Sequence, residues 1–312
     1  MKRAVYFFCI DEAADPAGSN ILKAAEKMYP LADSGLVFEG HPVRQYTDTA
    51  GNVYLFAETD VVLSHDWPKQ LPAVNKLVSD CSFAGVVTWH AGAKAPEKIL
   101  TVHSIGDVPS GWYCPSDPVL YWNMLRALHN AIGKYDLEGW TACTEATHWS
   151  GMLYDNDPAT LAACPVPQYD IEIGSSPVSW TDSEAAKAVA DALVHVFDED
   201  TRPKVVLACG GVHFESAFSV CGLQDEYPVM CTHILPNQWM VSGQYTGEEG
   251  LAKMKAAVAA IPGGIDAISF HDNLAAPYKD VCRKLAAELH IPIFKHRTLR
   301  DPAKLRAAME QK

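Results

Sequence analysis

Residues Trp140 to Trp149 read W-T-A-C-T-E-A-T-H-W, a short apolar run that ends in a carboxylate, a hydroxyl and an imidazole at Glu145, Thr147 and His148. Further along, Y-D-I-E-I-G-S-S from Tyr169 to Ser176 repeats the arrangement, with a Gly-Ser-Ser bend as its polar end. Each reads as a strand that delivers a polar loop. In an open α/β sheet, ligands sit in the crevice beyond the carboxyl ends of the strands, so both loops face one crevice if the two strands are parallel neighbours. Within 168–173, Tyr169, Ile171 and Ile173 share one face and leave Asp170 and Glu172 on the other.

The same alternation extends in both directions. Upstream, Arg3 to Ile10 reads as a buried strand and Ser19 as the cap of a helix over Asn20 to Met28. Short strands follow at Leu36–Phe38, Val43–Tyr46 and Val53–Ala57. A Pro-punctuated connection, Asp66 to Pro72, leads to a strand at Phe83–Thr88 that ends in Trp89-His90-Ala91-Gly92. A strand at Ile99–Val102 runs into His103, and the loop from Asp107 to Pro118 offers Trp112 and Tyr113 as a lid over a ligand. Val119 to Ile132 has helical apolar spacing.

Downstream, Thr181 and Glu184 have the spacing of a capping box. Lys204 to Ala208 is a strand that runs into Cys209-Gly210-Gly211-Val212-His213, and Val229–Leu235 carries His233. Strands at Ala267–Phe270 and Pro292–Lys295 alternate with helices at Glu248–Ala260, Pro277–Leu289 and Ala303–Glu310. The pattern predicts one α/β domain over residues 1–312, a three-layer sandwich with a mixed central sheet.

Composition narrows the function classes. At 312 residues and 48% apolar content the chain can bury a sizeable core. No stretch is apolar for long enough to span a membrane, and Asp11 and Glu12 interrupt the first apolar run, which therefore reads as a strand in a cytoplasmic protein. Nine scattered cysteines without a C-x-x-C pair argue against a disulfide framework and a cysteine-rich zinc site. A net charge of −13 argues against a broad grip on phosphates, although Arg283, Lys284, Lys295, Arg297, Arg300, Lys304 and Arg306 concentrate basic charge near the C-terminus.

His90, His103, His148 and His213 each come directly after a predicted strand. One such histidine would be an ordinary hydrogen-bonding residue; four in equivalent places point to a common site. No His-Glu-x-x-His pair is present, so a metal would have to be assembled from separate strand ends. Glu145 suits a general base, or a partner that orients an imidazole. Gly174-Ser175-Ser176 and Gly210-Gly211 permit close backbone approach, and their amides could hold an anion. Dinucleotide, P-loop and nucleophile-elbow fingerprints are all missing.

G-W-T-A-C-T-E-A-T-H from Gly139 to His148, I-E-I-G-S-S from Ile171 to Ser176 with Trp180 following, C-G-G-V-H-F from Cys209 to Phe214 and H-I-L-P from His233 to Pro236 resemble the D-aminoacyl-tRNA deacylases of the archaeal and plant type. The resemblance implies a fold of the phosphorylase and peptidyl-tRNA-hydrolase kind, zinc as cofactor, and hydrolysis of the ester between a D-amino acid and the tRNA 3′ end. It implies catalytic roles for Glu145, His148 and His213, and metal ligation by His148, His213 and His103. Thr147, Gly174, Ser175, Ser176, Gly210, Gly211 and His90 would shape the substrate pocket of a monomer. Where the family has a second adjacent histidine, this chain has Trp149, with extra residues before the next strand. Two other readings stay open: a metal-dependent hydrolase of a small amino-acid-derived metabolite, and a non-catalytic binding module.

Overall fold

Arg3–Cys9 (β1) is apolar in both directions, and every residue after Arg3 is buried, so it belongs in the middle of a sheet covered on two sides. The computed structural model describes residues 1–92 and 95–310. After β1 come α1 (Gly18–Met28), β2 (Ala32–Phe38), β3 (His41–Thr47), β4 (Val53–Thr59), α2 (Trp67–Val78) and β5 (Phe83–Trp89). Then follow β6 (Ile99–Ser104), a ribbon of β7 (Gly106–Asp107) and β8 (Trp112–Tyr113), α3 (Pro118–Lys134), β9 (Thr141–Thr144) and β10 (Gln168–Ile173). The short α4 (Pro177–Trp180) leads into α5 (Ser183–Ala192).

Among the described residues these strands form one eight-stranded mixed sheet in the order β2-β3-β4-β1-β5-β10-β6-β9, the ribbon apart. On one face, α1, α3 and α5 cover Tyr6, Phe8, Phe56 and Ile171; on the other, α2 covers Phe7, Leu55 and Val86. The predicted α/β class, large mixed sheet and helical layers are therefore present.

The remaining strands do not extend that sheet. After β11 (Lys204–Cys209), α6 (Ser216–Val220), β12 (Val229–Leu235), α7 (Asn237–Ser242) and α8 (Gly247–Ala259) come β13 (Ala267–Phe270), α9 (Ala276–Leu289), β14 (Ile293–Lys295) and α10 (Pro302–Glu310). Their strands make a second, all-parallel sheet in the order β12-β11-β13-β14. It is sandwiched between α8 and α9 on one side and α6 and α10 on the other.

Three local expectations change. The cap of α1 is not Ser19: Asp15 Oδ1 accepts from the Ala17 and Gly18 amides, both at 2.8 Å, while the Ser19 hydroxyl goes to Glu12. The cap of α5 moves one residue, from Thr181 to Asp182, whose carboxylate accepts from Glu184 N at 2.9 Å and Ala185 N at 3.0 Å. A carboxylate is a better acceptor than a hydroxyl for amides that carry the positive end of a helix dipole. The Asp66–Pro72 connection is largely helical: Pro68 sits in the first turn of α2, where a proline is tolerated, and Pro72 lies inside the helix.

The crevice argument also needs revision. β9 is parallel to β6, β10 is antiparallel to it, and β6 lies between them. The loops after β9 and β10 therefore leave from opposite ends of the sheet. Convergence has a different origin, described next.

Candidate active site

The loop after β9 is stitched to the smaller sheet. Ala146 N–H donates to the His213 carbonyl at 3.0 Å and Thr147 N–H to the Ile234 carbonyl at 2.9 Å. Ile234 N–H returns a bond to Thr147 Oγ1 at 2.9 Å, which leaves that hydroxyl to donate to His233 Nδ1 at 3.3 Å. Burial pushes the His233 imidazole down to about 3, so it stays neutral and accepts. This seam brings both sheets to one cavity of about 740 Å³, lined among others by His90, His148, Asp170, Glu172, His213 and Trp239.

Glu145 lies buried beneath the cavity and holds the first group together. Its Oε2 accepts from His213 Nε2–H at 2.6 Å and lies 3.5 Å from His90 Nε2. Because an ionised carboxylate only accepts, the His213 proton sits on Nε2 and Nδ1 keeps its lone pair. Burial would raise the Glu145 carboxyl, but the His213 bond and the surrounding imidazoles outweigh it and keep the acid ionised. His90 Nδ1 is 3.0 Å from Ser175 Oγ, which steadies the ring from the far side.

The second group adjoins the first, with the His148 and His213 rings edge to face at 4.9 Å. His148 Nδ1–H donates to the Ala146 carbonyl at 2.8 Å and His103 Nδ1–H to the Ser104 carbonyl at 3.2 Å. A carbonyl cannot donate, so each ring holds a proton on Nδ1 and Nε2 is the nitrogen left for other partners. His103 Nε2 is buried without a hydrogen-bond partner, 3.5 Å from Glu172 Oε1 and 3.6 Å from Asp170 Oδ2. Burial, reinforced by Glu145, pushes the Glu172 carboxyl well above its usual range. Burial likewise lifts Asp170 to about 7 against the pull of His103. Desolvation also keeps His148 and His90 neutral. Ligand atoms of His103, His148 and Glu172 lie within 4.8 Å of one another, a grouping that could hold a divalent cation.

A third group, Glu215, His271 and His296, has the same residue types within 4.8 Å but sits outside the cavity, at the carboxyl ends of the smaller sheet. There the Asn273 N–H donates to His271 Nδ1 at 3.1 Å. The neutral ring must then carry its proton on Nε2, which points at Glu215 Oε2 across 3.3 Å. The nitrogen that a metal would take is the protonated one.

The sequence profile of the family described as D-aminoacyl-tRNA deacylase matches residues 77–294, well over half of the chain and including every residue of both cavity groups. The chain belongs to the D-aminoacyl-tRNA deacylase family. A D-aminoacyl-tRNA deacylase of Pyrococcus abyssi is 28% identical over 233 residues, covering 71% of this chain and 77% of the relative. One from Thermococcus kodakarensis is 26% identical over 230 residues with the same coverage. A crystal structure of a conserved protein of unknown function shares the fold at a TM-score of 0.70, with 17% identity over 96% of both chains. Among the described residues no helix is long and apolar enough to cross a membrane.

The geometry sorts the residues singled out from the sequence of this family member. Glu145, His148 and His213 converge as expected, with His90 and His103 beside them. The expected ligand trio His148, His213 and His103 is divided: His103 and His148 face Glu172, whereas His213 Nε2 is committed to Glu145. Thr147 borders the cavity, but its hydroxyl is used in the seam.

The glycine-rich bends are not the ligand cradles they were expected to be. Gly174, Ser175, Ser176, Gly210 and Gly211 do not line the cavity. The Ser175 and Ser176 amides both donate to Ser179 Oγ, Gly210 N–H goes to the Leu235 carbonyl, and Gly211 N–H goes to Asn273 Oδ1. Positive φ values of 85° and 78° at Gly210 and Gly211 turn the chain so that His213 reaches the cavity.

A further expectation is corrected. Trp112 and Tyr113 form no lid over the cavity, because the Tyr113 hydroxyl is buried against Tyr245 at 2.6 Å, tying the ribbon to the smaller sheet. Trp149, where the family has a second histidine, is buried edge-on against Trp67.

Asp170 and Glu172 escaped sequence reasoning as site residues. In the structure both faces of β10 are covered, so its two carboxyls are almost wholly withdrawn from solvent at the cavity wall, where a cation or protons stabilise them.

Proposed function

We propose that this chain hydrolyses the ester joining a D-amino acid to the 3′ end of tRNA, releasing the amino acid and free tRNA. The observation that carries the proposal is a buried Glu145–His213 pair set directly against a two-histidine, two-carboxyl group in one cavity. Family membership supplies the substrate class.

Glu145 has no surface in the cavity and cannot meet water itself, which favours the orienting role over that of a base. It fixes the His213 proton on Nε2, so that Nδ1 can take a proton from the attacking water and return it to the departing ribose oxygen. His90 holds the other flank of Glu145. His103, His148 and Glu172 fit a zinc ion: their ligand atoms lie within 4.8 Å of one another, His103 Nε2 has no other hydrogen-bond partner, and Asp170 Oδ2 lies 3.6 Å from it. Zinc held there would act as a Lewis acid towards the ester carbonyl and make water more acidic.

A cavity of this volume lies within the roughly 300–1,000 Å³ that encloses drug-sized ligands, enough for an aminoacyl nucleoside with the rest of the tRNA outside. Steric rejection of the L side chain by rigid backbone would set the chirality. The enzyme would work in the cytoplasm as a single-domain monomer.

The test is release of D- but not L-amino acid from charged tRNA by purified protein, with and without a chelator. Excess uncharged tRNA should compete. Equal hydrolysis of both enantiomers, or turnover unaffected by bulk tRNA, would remove this substrate.

A further inference from the structure

We propose that the stacked rings of His65 and Tyr154 form a shelf in the cavity that takes the purine base of the substrate's terminal nucleotide; the inference rests on the aminoacyl-tRNA reading above. Two 3-10 turns build the shelf, Leu63–Asp66 and Ser150–Tyr154. The two turns are clamped together. Ser150 Oγ–H donates to Ser64 Oγ at 2.7 Å, Asn156 Nδ2–H to the Ser64 carbonyl at 2.7 Å, and Trp67 Nε1–H to Thr160 Oγ1 at 3.1 Å.

On this clamp the His65 and Tyr154 rings stack with centroids 4.0 Å apart and planes inclined by 29°. Both rings line the cavity. His65 covers one face of the tyrosine, yet Tyr154 remains 46% exposed and its neighbours Met152 and Leu153 are 39% and 83% exposed. A contiguous apolar run held rigidly at a cavity marks a surface built for a ligand.

The charge balance indicates which ligand. With a net charge of −13, the chain has little electrostatic grip on a phosphate backbone. The basic C-terminal residues are also engaged, Lys295 and Arg297 with Asp272, Arg300 with Glu215 and Lys304 with Asp301. Affinity for a nucleic-acid end must then come from contacts that ignore charge, and a base stacked on an aromatic ring is such a contact. The amino-acid side chain varies between substrates, whereas the nucleotide that bears the ester in tRNA is always adenosine. A permanent aromatic shelf suits the invariant part.

The test titrates adenosine into the full chain with the Met152 methyl resonance as readout, and measures KM and kcat on D-aminoacyl-tRNA for wild type, Tyr154→Ala and Tyr154→Phe. Adenosine should move the Met152 signal in wild type and Tyr154→Phe but not in Tyr154→Ala. KM should rise roughly 5- to 100-fold in Tyr154→Ala and stay near wild type in Tyr154→Phe. The change in kcat should stay within about two-fold, as for a contact made equally in ground and transition states. An unmoved Met152 signal in wild type, or an unchanged KM in Tyr154→Ala, overturns the shelf and leaves the cavity wall to the amino-acid side chain. If wild type releases no amino acid at all, the substrate reading fails, and the adenosine titration still decides the shelf. Should Tyr154→Ala not fold, the titration of wild type decides by itself.

Discussion

Two histidine groups in this molecule are built from the same parts and are wired in opposite senses. In the cavity, His103 and His148 donate from Nδ1 to backbone carbonyls, which leaves Nε2 for other partners, and His103 Nε2 lies beside Glu172 and Asp170. Behind the cavity, His271 receives a backbone N–H on Nδ1 and turns a protonated Nε2 towards Glu215. Proximity of histidines and acids is common to both, so proximity does not mark a metal centre. What differs is the backbone group that meets Nδ1, which decides the nitrogen left free to meet a cation.

The largest expected effect is on turnover. His148→Ala and Glu145→Gln should each lower kcat/KM on D-aminoacyl-tRNA by about 10²-fold or more, the range for a lost acid-base or orienting group. His271→Ala should cost less than about 10-fold, because it touches only the support of the His213 loop. Comparable losses from His148→Ala and His271→Ala in steady-state assays would erase the distinction.

Metal content gives the next test. Wild-type protein loaded with zinc and passed through a desalting column should retain metal that His103→Ala and Glu172→Gln lose, measured per chain by elemental analysis. His296→Ala should retain as much as wild type. The opposite ordering would mean that the tautomer argument assigns the wrong cluster.

The dependence of zinc affinity on pH sharpens the comparison further. Asp170 is raised to about 7 by burial, so below that pH its carboxyl holds a proton that a cation must displace. Apparent affinity should therefore strengthen as pH rises through about 7 and weaken as it falls, by up to about tenfold per unit for one displaced proton. Competition titrations should show a shallower profile for Asp170→Asn.

The smallest effect belongs to the rear group. Glu215→Gln weakens its link to His271 at 3.3 Å and to Arg300 at 3.4 Å. A loss of about 1 kcal/mol is expected from bonds of this kind. For a chain of this size that is a fall of a few degrees in Tm, by calorimetry, with zinc content unchanged.

Legibility from sequence followed burial and periodicity. Strands such as Arg3–Cys9 and Lys204–Cys209 were readable because their apolar runs are long and bounded, and the longer helices α3, α5, α8, α9 and α10 because their stripes have helical spacing, whereas the short α4, α6 and α7 were not. Caps were off by a residue or more where a nearby aspartate outcompeted a hydroxyl. The histidines were found because each follows a strand. Asp170 and Glu172 were missed because alternation on a strand with one solvated face looks the same as alternation on a strand buried on both; only the helices and the smaller sheet packed around β10 distinguish the two.

The sequence by itself determined the element types, the α/β class, the family and the identities of the groups with reactive nitrogens and oxygens, since these depend on local pattern and residue chemistry. Tertiary structure alone decided that β10 inserts antiparallel beside β6, that the later strands form a separate sheet, and that hydrogen bonds across the seam bring His213 to Glu145. It also decided the proton position on each imidazole, because that depends on whether a carbonyl or an amide meets the ring, and those partners come from the folded backbone.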